Sequence, residues 1–266
     1  MIKKKLPPHL SLWALLFVSF LIILFLSFGE DLNIGGHTMK KGTFPETLLA
    51  ANTPLPIVEE LPEDSVDVKE EVILQPDTTV KSVLIFGDSM TVLIARRMAA
   101  YGAQNGYKVS AITWDGSSTS KWCDSKTLDQ FMKEVKPDFI MISLGGNELS
   151  GKNFDSRVPY IEKLLKKIDG IPFVWIGPPN WKKDLGYNDM LERTLPKGTF
   201  FRSEGIELER SKDHIHPTPK AGGIWTDSIM RWMKTSAHPI PAELPDASIK
   251  NPPLNHKYFR ASQKVN

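Results

Sequence analysis

The sequence predicts an α/β domain, a three-layer α/β/α sandwich built on a parallel sheet, and three observations predict it. Short uninterrupted apolar runs alternate along the chain with segments of helical spacing. Several runs stop at glycines, as strands buried on both faces do where they leave the sheet. Strand–helix alternation calls for crossovers that bring each strand back parallel to the last, so helices cover both faces.

Ser82–Phe86 (SVLIF) reads as the first strand and ends at Gly87. Met90–Asn105 has helical spacing and stops before Gly106, a residue that terminates helices readily. Tyr107–Thr113 alternates weakly and reads as the second strand, and Leu128–Val135 is helical up to Pro137. Asp138–Leu144 (DFIMISL) is a third buried strand, ending at Gly145-Gly146. An amphipathic helix over Val158–Ile168, a strand over Pro172–Ile176 and a helix over Asp184–Leu195 follow. A fifth strand over Thr199–Arg202 and a closing helix over Pro219–Met233 complete a domain spanning residues 81–236. In such a sheet ligands bind beyond the carboxyl ends of the strands.

The flanks differ in character. Lys3, Lys4 and Lys5 precede an uncharged run, Leu10–Phe28, about as long as a helix needs to cross a bilayer. No small-x-small cleavage site follows it, so residues 10–28 read as a signal anchor, with a cleaved signal peptide as the alternative. The lysines put residues 1–9 in the cytoplasm, and Glu30 and Asp31 lie on the far side with the domain, in a periplasm or at a cell surface. Residues 29–80 carry Pro45, Pro54, Pro56, Pro62 and Pro76 and acidic pairs, and read as an extended tether. Within it, Val66–Leu74 is a candidate edge strand. Residues 237–266 are Pro-rich and read as an irregular tail lying on the surface.

Charge excludes one class of partner. In 266 residues, 33 basic side chains face 31 acidic ones, a net charge of +2, which leaves no strongly basic face for nucleic acid. Cys123 is the single cysteine, so neither an internal disulfide nor a thiolate metal cluster can form. A lone cysteine can act as a nucleophile, but its usual role is that of a small buried side chain.

Three polar clusters fall at the expected edge. The first strand runs into Gly87-Asp88-Ser89, the third into Gly145-Gly146-Asn147-Glu148, and Asp213-His214-Ile215-His216-Pro217 precedes the closing helix. A serine at a strand-to-helix turn presents its hydroxyl at the sheet edge, with its own N–H close by for a developing oxyanion. That hydroxyl is inert until a base takes its proton, and His216 is the candidate base. The base needs an acceptor on its other nitrogen, and Asp213, on the same loop, is placed to provide it.

In order and spacing these clusters resemble the first, third and fifth blocks of the SGNH (GDSL-like) hydrolases, over roughly residues 81–234. The resemblance implies a flavodoxin-like sheet and an ester hydrolase with Ser89, Asp213 and His216 as its catalytic residues. It also implies an oxyanion hole formed by the Ser89 and Gly116 amides and the Asn147 side chain, with no metal or cofactor. Gly116, in Trp114-Asp115-Gly116, is the match to the family's second block. Glu148 departs from the family's Gly-x-Asn-Asp pattern, at the position whose acid usually makes loop contacts. The anchored, extracytoplasmic setting puts envelope polysaccharide within reach, and the resemblance to extracytoplasmic members of the family implies O-acetyl groups there as the substrate, removed or transferred. A lipid esterase or thioesterase, and a non-catalytic envelope protein on the same scaffold, are the alternatives.

Other readings compete for the same residues. Ser89 or Asp88 is also a good helix cap, and Asp88 is expected to be structural. His214 competes with His216 as the base. Glu148 and Asp213 would suit a glycosidase pair, which leaves Ser89 and His216 unexplained, and His214, His216 and Asp213 a metal site, for which no further ligands stand at a familiar spacing. Trp114, Trp122, Trp175 and Trp181 lie near strand ends, where they either stack on sugar rings or pack the core.

Overall fold

Both faces of every central strand are buried, which is why the strands appear as unbroken apolar runs. In the computed structural model the described residues are 73–263, with the backbone of two short antiparallel strands, Leu32–Ile34 and His37–Met39. These belong to two units, residues 1–67 and 68–266. The anchor at residues 10–28 lies outside the described residues, as does most of the tether. Among the described residues no helix is long and apolar enough to cross a membrane.

The second unit holds six parallel strands, β1 (Ser82–Gly87), β2 (Lys108–Trp114), β3 (Phe139–Ser143), β4 (Phe173–Ile176), β5 (Phe200–Phe201) and β6 (Asn255–Phe259), in the order β5-β4-β3-β1-β2-β6. Helices α1 (Thr91–Asn105), α2 (Thr119–Cys123), α3 (Lys126–Val135), α4 (Val158–Lys167), α5 (Tyr187–Thr194) and α6 (Pro219–Trp232) flank it. Side chains of β1 alternate between two cores. Val83 and Ile85 pack with Ile94 and Met98 of α1 and Trp225 and Ile229 of α6. Leu84 and Phe86 pack with Trp122, Leu128, Phe131, Ile161 and Leu164 of α2, α3 and α4. Each such side chain contributes roughly 1.5–3 kcal/mol by leaving water. The result is the three-layer sandwich expected.

Two segments depart from the sequence reading. The tail is irregular only as far as Leu254; beyond it, β6 pairs with β2 in parallel, from Ser110↔Asn255 to Trp114↔Phe259. An edge strand needs only one apolar face, and the mixed residues NHKYF after Pro252-Pro253 give no buried-strand pattern. The end of the expected tether is also tied down. The N–H groups of Leu74 and Asp77 donate to the carbonyls of Lys234 and Pro239 at 3.0 and 2.9 Å, and Val80 is buried. Ile73 and Leu74 form no strand, and the rest of Val66–Leu74 lies outside the described residues.

The chain reverses direction across the sheet between β1 and β3, since the crossover after β1 leads to β2 on one side and the next leads to β3 on the other. That switch point opens a crevice at the carboxyl ends of the strands. Gly87 makes the strands' close approach possible. A Cβ there would lie 1.8 Å from the Ser143 carbonyl oxygen, which accepts the Asp88 N–H at 3.0 Å.

Candidate active site

Ser89 leaves β1 at the switch point, half-buried, and its side chain does not cap α1. Its Oγ lies 2.7 Å from His216 Nε2. His216 Nδ1 lies 2.6 Å from Asp213 Oδ2, so the carboxylate accepts the Nδ1–H and Nε2 is left to accept the serine proton. The other oxygen, Oδ1, accepts the N–H groups of Ile215 and His216, both at 3.0 Å. The bond from the His216 ring, then those two N–H groups, hold Asp213 well below the usual carboxylate range.

The loop carrying this pair is tightly folded. Ser211 N–H donates to the His216 carbonyl at 2.7 Å, and Thr218 N–H to the Glu209 carbonyl at 2.9 Å. Thr218 then caps α6, its hydroxyl accepting Ala221 N–H at 3.2 Å, with Pro219 in the first helical turn. Arg210 ties the loop to the one after β4, donating to the Ile215 carbonyl at 2.8 Å and to those of Pro179 and Asn180 at 3.0 Å. His214 is exposed, in a left-handed conformation at φ 58°, and its ring has no partner among the described residues.

Asp88 stitches the first and third clusters together. It is 1% exposed, and its carboxylate accepts Met90 N–H and Gly146 N–H, each at 3.0 Å. Burial pushes its pKa up to about 6 against the lowering effect of those two bonds. Asn147, next to Gly146, donates one amide hydrogen to the Ser117 carbonyl at 2.9 Å and keeps a second. Gly116 turns the loop after β2 at φ 63°, where a side chain is disfavoured. The N–H groups of Ser89 and Gly116 meet no acceptor among the described residues. Ser89, Gly116, Asn147 and His216 line one cleft of about 520 Å³.

The same cleft is also lined by Trp181, one of the four strand-end tryptophans, and by Asp115 and Tyr258, which the sequence did not single out as site residues. Trp181 donates its indole N–H to the Gly146 carbonyl at 3.0 Å, and the Lys182 ammonium sits 4.3 Å from its ring centre. Tyr258, on β6, donates its hydroxyl to Asp115, which pushes the phenol up to about 12. Asp115 was legible only as the neighbour of Gly116, and Tyr258 only once the tail is known to be a strand.

The competing assignments are placed elsewhere. Glu148 is buried, its carboxylate accepting the Thr119 N–H and hydroxyl at 3.0 and 2.9 Å, so it anchors α2 rather than pairing with Asp213. Cys123 is a free, buried thiol whose Sγ donates to the Ser120 carbonyl. Trp114, Trp122 and Trp175 are buried, so of the four strand-end tryptophans Trp181 alone lines the cleft. Among the described residues no group of three or more His, Cys, Asp and Glu side chains is arranged to hold a metal.

No family model and no curated protein sequence matches this chain. Among solved structures it is similar to a gut microbial diltiazem-metabolizing enzyme, at 12% identity and a TM-score of 0.32. The likeness covers 72% of this chain and 39% of that one, so the chain spans about two fifths of that enzyme's length. A likeness at that level says nothing about activity.

Proposed function

We propose that this chain is a serine ester hydrolase of the SGNH type, working through an acyl-enzyme. The observation that carries the reading is the Asp213–His216–Ser89 relay, with spacings of 2.6 and 2.7 Å, assembled from parts of the chain 127 residues apart. Ser89 Oγ attacks the ester carbonyl carbon while His216 Nε2 accepts its proton. The tetrahedral oxyanion is met by the Ser89 and Gly116 N–H groups and the second Asn147 amide hydrogen. His216 returns the proton to the departing alcohol, and water, activated by the same imidazole, releases the acid. Asp213 keeps the ring oriented and stabilises its charged form.

The finer reading is removal, or transfer, of O-acetyl groups on envelope carbohydrate, by a domain held outside the cytoplasm through the anchor at residues 10–28. What supports it is the uncharged run behind three lysines, together with a cleft flanked by the aromatic rings of Trp181 and Tyr258. The test is hydrolysis of p-nitrophenyl acetate and release of acetate from O-acetylated peptidoglycan by the purified chain. Activity on both, lost in Ser89→Ala, is expected; equal rates in the two proteins sink the mechanism.

A further inference from the structure

Ser89 lies just past the carboxyl end of β1, between two unlike walls. On the β2 and β6 side stand Asp115 and Tyr258, and on the β3 and β4 side stands Trp181. Tyr258 is a large aromatic left 49% exposed, with its hydroxyl engaged by Asp115. The second oxygen of Asp115, Oδ1, is buried and has no hydrogen-bond partner among the described residues, so it is closed to a ligand. The exposed phenol oxygen, its own hydrogen given to Asp115, can still accept a hydroxyl. The indole N–H of Trp181 is already given to Gly146, so this side chain offers the cleft carbon surface only.

A hydroxyl acceptor on one side and fixed aromatic carbon on the other match a sugar ring, which has hydroxyls at its rim and C–H groups on its faces. The same walls disfavour a fatty acyl chain, which would cover the exposed phenol oxygen with no hydrogen bond in return.

We propose that Asp115, Tyr258 and Trp181 form a subsite for a sugar ring bearing the ester, a proposal that rests on the hydrolase reading above. The Tyr258 hydroxyl accepts a ring hydroxyl and its ring meets the sugar, Asp115 fixes that phenol, and Trp181 packs against the opposite side of the substrate.

The experiment uses Tyr258→Phe and Asp115→Asn in the full chain. It compares kcat/KM on p-nitrophenyl acetate with kcat/KM on O-acetylated xylo-, chito- and gluco-oligosaccharides. In parallel, calorimetry follows binding of those oligosaccharides to Ser89→Ala, alone and combined with each substitution. Each substitution is expected to cost about tenfold more on at least one sugar ester than on the aryl acetate, the effect of losing or misplacing one hydrogen bond. Binding of that sugar by Ser89→Ala should weaken by a like factor. Equal losses on both ester classes with unchanged sugar binding would overturn the proposal, leaving the pair only to hold the Gly116 loop. So would absence of sugar binding by Ser89→Ala. If the wild-type chain hydrolyses neither ester class, the hydrolase reading falls, and the binding measurement still decides the subsite.

Discussion

Replacing Asp88 with asparagine tests how the site is held together. The carboxyl is 1% exposed, and burial lifts its pKa from 3.8 to about 6 although two N–H groups bond to it. The folded state therefore binds this proton more tightly than the unfolded state. The stability gained from protonation is fully present below about pH 4 and is lost as pH rises through about 6. A shift of about 2 units corresponds to about 3 kcal/mol, of which roughly 2 kcal/mol falls between pH 4 and pH 8. The substituted asparagine does not titrate, and any change in its hydrogen bonds is nearly independent of pH. The stability of Asp88→Asn relative to wild type should thus rise by about 2 kcal/mol from pH 4 to pH 8. Urea unfolding followed by fluorescence of the buried tryptophans measures that difference directly. A difference that stays flat across this range would refute the account of Asp88 as a buried, charge-penalised tie. The same variant should lose turnover, about tenfold, because an amide offers one acceptor oxygen to two donors that now hold the Ser89 and Asn147 loops.

Three further outcomes follow from the geometry. Asp213→Asn should lower kcat/KM on p-nitrophenyl acetate by roughly 10- to 100-fold, a loss moderated by the 47% exposure of the carboxylate, whereas His214→Ala should change it little. Steady-state kinetics of the two variants side by side decides this, and a reversed order would make His214 the base. Gly87→Ala should fail to give a cooperative unfolding transition in circular dichroism, since its Cβ would lie 1.8 Å from the Ser143 carbonyl oxygen. Arg210→Met should lower kcat more than it raises KM, because it frees the Asp213–His216 loop from the Pro179 and Asn180 carbonyls without touching the cleft.

The parts of the fold that were legible are those where burial leaves a local imprint. β1 and β3 bury both faces, so SVLIF and FIMIS stand out as apolar runs, and the polar clusters that follow them mark the sheet edge. The Ser89, Asn147 and Asp213/His216 groups were readable because each is a short motif at a strand end or beside a helix start. What was not legible depends on contacts between distant segments. Tyr258 meets Asp115 across 143 residues, and no local pattern marks either as a partner. β6 is an edge strand with partly exposed side chains, so its sequence gives no buried run after Pro252-Pro253. α2 is a single turn, Thr119–Cys123, held by Trp122 and by the bonds from Thr119 to Glu148, too short for helical periodicity to show.

The central claim is that Ser89 is an activated nucleophile, and covalent labelling tests it most directly. The full chain would be treated with a fluorophosphonate at neutral pH, digested, and the modified peptide located by mass spectrometry. The account predicts one adduct, on Ser89, absent in Ser89→Ala and strongly slowed in His216→Ala, where the base is removed. No adduct on Ser89, or labelling at the same rate in His216→Ala, would contradict it.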